Sequence, residues 1–239
     1  MKVDLLAIAA HPDDVELTCG GTLIKMKKRG YRTGIIDLTS GEAGSRGSAD
    51  VRRREAAAAA RALGVVHREN LEFPDAHLEM RMDYKLAIAE RIRALRPRTL
   101  ILPYWEGRHP DHYTASRLGY EACFLAGLKA VDLPGEAHRP FKVLYATAYD
   151  RGTRPSFVVD VSAEFAQRNR AIMAYVSQFR PKVRARKTEA AARLDRLVQY
   201  VELTSRFYGE MAGVQYAEPF LVKEVMQADD VVDMPIRSI

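Results

Sequence analysis

The sequence predicts an α/β protein: a mostly parallel sheet with helices on both faces and a C-terminal extension of short strands and helices. Three observations carry this. Strand-like and helix-like stretches alternate four times in the first half of the chain. The first strand-like stretch, Val3 to Ala9, is continuously apolar, as a strand buried on both faces is. No internal repeat or Ser/Gly linker divides the 239 residues, so we expect one domain over 1–239.

The elements follow in order. A helix is expected from about Glu16 to Arg29, stopped by Gly30, then a strand over Thr33–Thr39. Asp50 is read as the cap of a helix that runs through Ala56–Ala60 to Leu63 and ends at Gly64. A strand near Val66–Phe73, a helix from about Asp83 to Leu95 broken by Pro97, and a strand over Thr99–Leu102 complete the alternation. Beyond Phe141 the pattern changes to strands at Lys142–Ala148 and Phe157–Val161. Helices at Ala163–Ser177 and Glu189–Met211 and a strand near Phe220–Val222 follow. Such a Rossmann-like sheet binds ligands outside the carboxyl ends of its strands, which singles out the loops after Ala9, Thr39, Phe73 and Leu102.

Composition narrows the class. With 47% hydrophobic and 28% charged residues the chain is ordinary and globular, not disordered or collagen-like. Two cysteines, Cys19 and Cys123, form no disulfide framework and fit a reducing compartment; both fall in helical contexts and read as packed. No apolar run approaches the ~20 residues of a membrane span, and the start carries no signal-peptide pattern. A soluble, cytoplasmic protein without a membrane partner is expected.

The net charge of +6 is concentrated. Nine basic residues (Arg168, Arg170, Arg180, Lys182, Arg184, Arg186, Lys187, Arg193, Arg196) face only Glu189 and Asp195 between them. Without interleaved aromatics we read this as a solvated helical face or a loop near an anionic small molecule, not as a nucleic-acid surface.

Two segments carry chemistry. Ala10-His11-Pro12-Asp13-Asp14-Val15-Glu16 follows the first strand, and Arg108-His109-Pro110-Asp111-His112 follows the fourth. The topology sends both loops to one sheet edge. Imidazole and carboxylate are the usual ligands of catalytic zinc, three from the protein with one position left for water. Adjacent carboxylates cannot easily aim at one point, so one of Asp13 and Asp14 would ligate and the other act as base. Likewise one of His109 and His112 would ligate and the other face the substrate carbonyl, with Asp111 orienting a histidine. Gly20-Gly21 lacks a G-x-G-x-x-G frame, and His-Pro-Asp-Asp occupies the place of a pyrophosphate, so a nucleotide is not expected. Ser40, Ser45 and Ser48 have no nucleophile-elbow context.

These segments resemble the LmbE-like (PIG-L) zinc-dependent N-deacetylases, whose hallmarks are A-H-P-D-D-x-E and H-P-D-H. Further similarity lies in Thr39–Ser48, in Arg52 with Glu55-Ala56, and in Leu63-Gly64-Val65. Asn70-Leu71, Pro74-Asp75, Phe124–Leu128, Pro155-Ser156-Phe157, Ser177-Gln178-Phe179 and Tyr216-Ala217-Glu218 also match. Val15 stands where many members have Glu, a register similar to the branch acting on N-acetylglucosaminyl malate in bacillithiol biosynthesis.

The resemblance implies His11, Asp14 and His112 as ligands of one Zn2+, with Fe2+ the alternative for two imidazoles and a carboxylate. It makes Asp13 the general base and later acid, His109 the oxyanion stabiliser, and Asp111 the group that tunes His109. Arg52 would contact substrate, against a plain i,i+3 pair with Glu55 on an exposed helix face. Asp75 would hold sugar hydroxyls, and Arg108 a substrate carboxylate. The expected activity is removal of acetyl from an N-acetylglucosamine conjugate, foremost the malate conjugate. The alternatives are another N-acetylated amino sugar, such as a chitooligosaccharide or mycothiol-type precursor, or a non-catalytic carbohydrate binder with a structural metal. A homo-oligomer, up to a hexamer, is implied. Two features stay open: Gly41–Ser48 as lid or surface connection, and Tyr200 and Tyr208 as pocket cover or core.

Overall fold

The first strand shows why the sheet forms where it does. In a computed structural model of the chain, β1 (Leu5–Ala9) is buried at every position. Leu6 and Ile8 point into one core and Leu5, Ala7 and Ala9 into the other, the two-residue alternation of a strand covered on both faces. The structure describes residues 1–44, 46–150, 152–179, 189–230 and 232–233, without the side chains of 189–195.

The chain continues through α1 (Asp14–Thr18), α2 (Gly20–Lys28), β2 (Thr33–Thr39), α3 (Ala49–Leu63), β3 (His67–Phe73), α4 (Met82–Leu95), β4 (Thr99–Pro103) and α5 (Pro110–Ala126). The extension adds β5 (Lys142–Ala146), β6 (Phe157–Asp160), α6 (Phe165–Ile172), α7 (Val176–Phe179), α8 (Glu189–Ala212) and β7 (Ala217–Leu221). The strand order is β3-β2-β1-β4-β5-β7-β6, parallel except where β7 pairs antiparallel with β5 and β6. Ile88, Ile92 and Leu118 bring α4 and α5 onto one face; Leu23, Ala59 and Ile172 bring α2, α3 and α6 onto the other. The α/β expectation therefore holds. Because β1 pairs with both β2 and β4, their carboxyl ends lie side by side, and β1/β4 is the point where the order of strands reverses.

Several boundaries differ from the sequence reading. The single helix expected from Glu16 to Arg29 starts at Asp14 and breaks at Cys19. The break exposes the first N–H groups of α2, and Glu218 satisfies them: its carboxylate accepts from Gly21 N at 2.8 Å and from Thr22 N at 2.7 Å. A Cβ on Gly21 would stand 2.8 Å from Glu218 Oε1, so Gly21 serves this close approach. Ser48, not Asp50, caps α3 by accepting from Val51 N, while Asp50 pairs with Arg53 in the first turn. The helix expected over Ala163–Ser177 is divided into α6 and α7.

Of the described basic residues in the stretch, Arg170 and Arg196 are exposed, but Arg168 does not belong to a solvated face. Arg168 is fully buried, donates to Glu16 O and pairs with Glu218. Arg180, Lys182, Arg184, Arg186, Lys187 and the Arg193 side chain lie outside the described residues, as does Ser45. Among the described residues no helix is long and apolar enough to cross a membrane.

Candidate metal and catalytic centre

Both motif loops leave the same sheet edge, and their local geometry is built by the backbone. Thr39, ending β2, holds Ala10 O through its N–H at 2.9 Å and its hydroxyl at 3.0 Å. The chain then turns sharply. Asp13 has φ 109°, a region a non-glycine residue rarely occupies. Arg52 of α3 stabilises that turn by donating to Pro12 O, and its Nη2 lies 3.4 Å from Asp13 Oδ2. The helix α1 starts at once, and Asp14 Oδ2 reaches back to accept the His11 N–H at 2.9 Å. On the second loop Pro110 opens α5, and His109 caps it by accepting the Asp111 N–H on Nδ1 at 3.3 Å.

These turns bring three histidines and four carboxylates together. Asp14 sits between two imidazoles: Oδ2 is 3.3 Å from His11 Nδ1 and Oδ1 is 3.2 Å from His112 Nε2. The three donor atoms lie within 4.8 Å of one another. Ligands about 2.0–2.1 Å from a tetrahedral ion are separated by about 3.3–3.4 Å, and each Asp14 oxygen stands at about that distance from one of the two imidazoles. The far side of His11 is held by acids as well. Its Nε2 lies 3.0 Å from Asp75 Oδ1 and 3.2 Å from Asp111 Oδ2, the carboxylate support common behind a ligating imidazole. His109 stacks on His112 at 4.7 Å and meets His11 edge-on at 5.0 Å. His11, His109 and Asp111 form a second, overlapping group able to hold a metal.

Charge points the same way. Burial pulls the His11 pKa down, yet Asp111, Asp14 and Asp75 outweigh it and raise it to about 12. Burial pushes Asp14 up, but His112 and His11 overcome this and hold it well below the usual range. Asp13 keeps no such pair. Burial raises it to about 8 against the pull of Arg52, with the Asp14 charge adding to the rise. Burial lowers His109, and the neighbouring His112 lowers it further. A neutral His109 that accepts a backbone N–H on Nδ1 carries its own proton on Nε2. The cluster is thus oversupplied with negative charge around one imidazole edge, a place for a proton or a metal cation.

The expected residues divide into those the fold gathers and one it does not. His11, Asp13, Asp14, His109, Asp111 and His112 share the centre. Asp75 joins them as a buried partner of His11, with its Oδ2 taken up by Ala43 N at 2.9 Å. Asp111 directs its carboxylate to His11 and Ala76 N, not to His109 as expected, because the start of α5 aims it inward. Arg52 is not an exposed helix residue paired with Glu55; it is buried against Pro12 and Asp13, while Glu55 accepts from Ser177. Arg108 is exposed and makes no ion pair with the cluster. Glu16, last of its motif, points away into the core, toward Arg68 and the Tyr175 hydroxyl.

One residue was missed. Tyr149, just beyond β5, donates to Asp14 Oδ1 at 3.4 Å and stacks on His112 at 5.5 Å. Nothing in its local sequence marks it; only the pairing of β4 with β5 brings it here. Tyr200 and Tyr208 reach the backbone at Asp150 and Thr153, and Tyr208 is buried, so this one belongs to the core. The Gly41–Ser48 segment is tied down at Arg46, whose carbonyl accepts from Gln178 at 2.9 Å.

Comparisons with known proteins follow the same lines. Residues 6–123 match the PIG-L family, described as GlcNAc-PI de-N-acetylase. The solved structure of the conserved protein TT1542 from Thermus thermophilus is 40% identical, with a TM-score of 0.85 over 95% of this chain and 98% of that one. The diacetylchitobiose deacetylase of Thermococcus kodakarensis is 29% identical over 90% of this chain and 80% of its own length. A probable N-acetyl-α-D-glucosaminyl L-malate deacetylase 2 of Bacillus anthracis is 25% identical over 83% of this chain and 91% of its own length.

Proposed function

Because the chain belongs to the PIG-L family of de-N-acetylases, we propose that it is a metal-dependent hydrolase that removes acetyl from an N-acetylglucosamine conjugate. The observation that carries this is Asp14 lying between His11 and His112, with the carboxylate of Asp13 left outside that pair. His11, Asp14 and His112 hold the ion, zinc by their ligand types and spacing, with ferrous iron its competitor. Bound there, a divalent ion supplies Lewis acidity toward the amide carbonyl and toward water.

The chain's own groups do the rest. Asp13 takes a proton from the attacking water as the new C–O bond forms, and Arg52 holds the turn that aims it. The Nε2–H of His109 donates to the carbonyl oxygen as negative charge gathers there. Asp13 then returns its proton to the nitrogen as the C–N bond breaks, giving acetate and the free amine. Asp75 and Asp111 fix the His11 ring and its tautomer.

Within this class our finer reading is the malate conjugate of N-acetylglucosamine. The exposed Arg108 beside the second motif offers a cation to its carboxylates. The free cysteines Cys19 and Cys123, both buried, fit the reducing cytoplasm. Self-association belongs to the same reading, since Leu203, Phe207 and Met211 form an exposed apolar line on α8. Amine release over a panel of N-acetylglucosaminyl malate, N,N'-diacetylchitobiose and N-acetylglucosaminyl inositol tests the substrate. The malate conjugate should give the highest kcat/KM, and a higher value on diacetylchitobiose overturns the finer reading alone.

A further inference from the structure

We propose that Lys223 is a positioning residue for this site: its ammonium, seated among Trp105, Tyr120 and Tyr145, holds the loop that delivers His109. The activity arm of this inference rests on the deacetylase reading above; its geometry does not.

The ammonium lies 4.8 Å from the Trp105 ring centre, 4.7 Å from Tyr120 and 5.1 Å from Tyr145. All three fall within the ~6 Å reach of a cation–π contact. Lys223 is exposed, and among the described residues no carboxylate forms an ion pair with it, so its ammonium is shared between these rings and solvent. The register of the sheet brings it there. Leu221, the last residue of β7, pairs with Tyr145 of β5, and Lys223 follows two residues beyond the strand's end.

Each ring stands on an element that feeds the centre. Trp105 lies in the connection from β4 to α5, four residues before His109. Tyr120 stands on α5, the helix that carries Asp111 and His112. Tyr145 is next to last in β5, the strand that leads to Tyr149. The connection has few other ties. Among the described residues no loop backbone hydrogen bond involves 104–108, and the Tyr104 hydroxyl reaches Glu106 within the segment and Thr153 outside it. Trp105 packs against the core and meets Tyr145 edge-on at 4.6 Å, and Lys223 lies over the same ring. Releasing the ammonium frees Trp105, and with it the approach of His109 to the substrate carbonyl.

Trp105 is the sole tryptophan of the chain, so emission excited selectively at tryptophan reads this cage alone. Lys223→Met keeps the length of the side chain and removes the charge; Lys223→Arg keeps the charge. For Lys223→Met we expect altered Trp105 emission, faster modification of His109 by diethyl pyrocarbonate and kcat lower by roughly 3–10-fold. KM should stay within about 2-fold and the melting temperature near wild type. Lys223→Arg should restore all three within about 2-fold. Unchanged emission and an unchanged His109 rate in Lys223→Met overturn the inference whether or not the enzyme turns over any substrate tested. Wild-type kcat in that variant, or an Arg variant as impaired as Met, overturns it too. A wild-type chain inactive on the whole panel counts against the deacetylase reading and leaves the emission and modification arms to decide this one.

Discussion

Arg168 and Glu218 face each other at 3.2 Å with both side chains wholly buried. The pair joins the extension to the first motif helix: Arg168 also donates to Glu16 O and Leu17 O, and Glu218 caps α2. Removing one partner strands a buried charge. Glu218→Gln should therefore cost about 3–5 kcal/mol in urea unfolding. Glu202→Gln, at the half-exposed pair with Arg206, should cost less than about 1 kcal/mol. Equal losses would show that burial of the first pair is not what matters.

Asp13→Asn keeps the shape of the turn and removes the base. We expect kcat to fall on the order of 10²- to 10⁴-fold with metal content unchanged. Turnover near wild type would remove Asp13 from its role.

Asp75 and Asp111 offer a sharper choice between metal support and sugar binding. Both carboxylates meet His11 Nε2. Asp75→Asn and Asp111→Asn should each weaken metal affinity by roughly 10–100-fold, read by competition with a chromogenic chelator. If Asp75 served sugar hydroxyls instead, KM would rise while metal affinity stayed constant.

The two motif loops were legible because β1 and β4 are adjacent and parallel, and an apolar β–α alternation announces that arrangement. That alternation brought the two motifs together but left Asp13 against Asp14 and His109 against His112 open, and the family resemblance chose His11, Asp14 and His112. Contacts set by long-range packing were not legible. The break at Cys19 makes sense only with Glu218, far along the chain, accepting the freed N–H groups. The direction of the Asp111 carboxylate depends on the pitch of α5, and Tyr149 arrives by strand order. Arg108 shows the converse. It neighbours His109 in sequence, yet it makes no ion pair with the cluster that His109 joins.

The two thiols give a pH test. Burial raises both, Cys123 to about 12, with Arg139 only partly offsetting it. Native protein at pH 8 should resist iodoacetamide at both positions, and urea should expose both to rapid alkylation. Unfolded thiols ionise from about pH 8.5 while the folded ones stay protonated, so their contribution to stability is present below that pH and is lost as pH climbs toward 12. Rapid alkylation of the native chain would contradict the packed reading.

In the proposed site two turns of the chain grip one divalent cation through His11, Asp14 and His112. Metal analysis of purified wild type, His11→Ala and His112→Ala decides this. We expect about one ion per chain in the wild type and almost none in either variant, with the fold retained by circular dichroism. Full occupancy in both variants would contradict it.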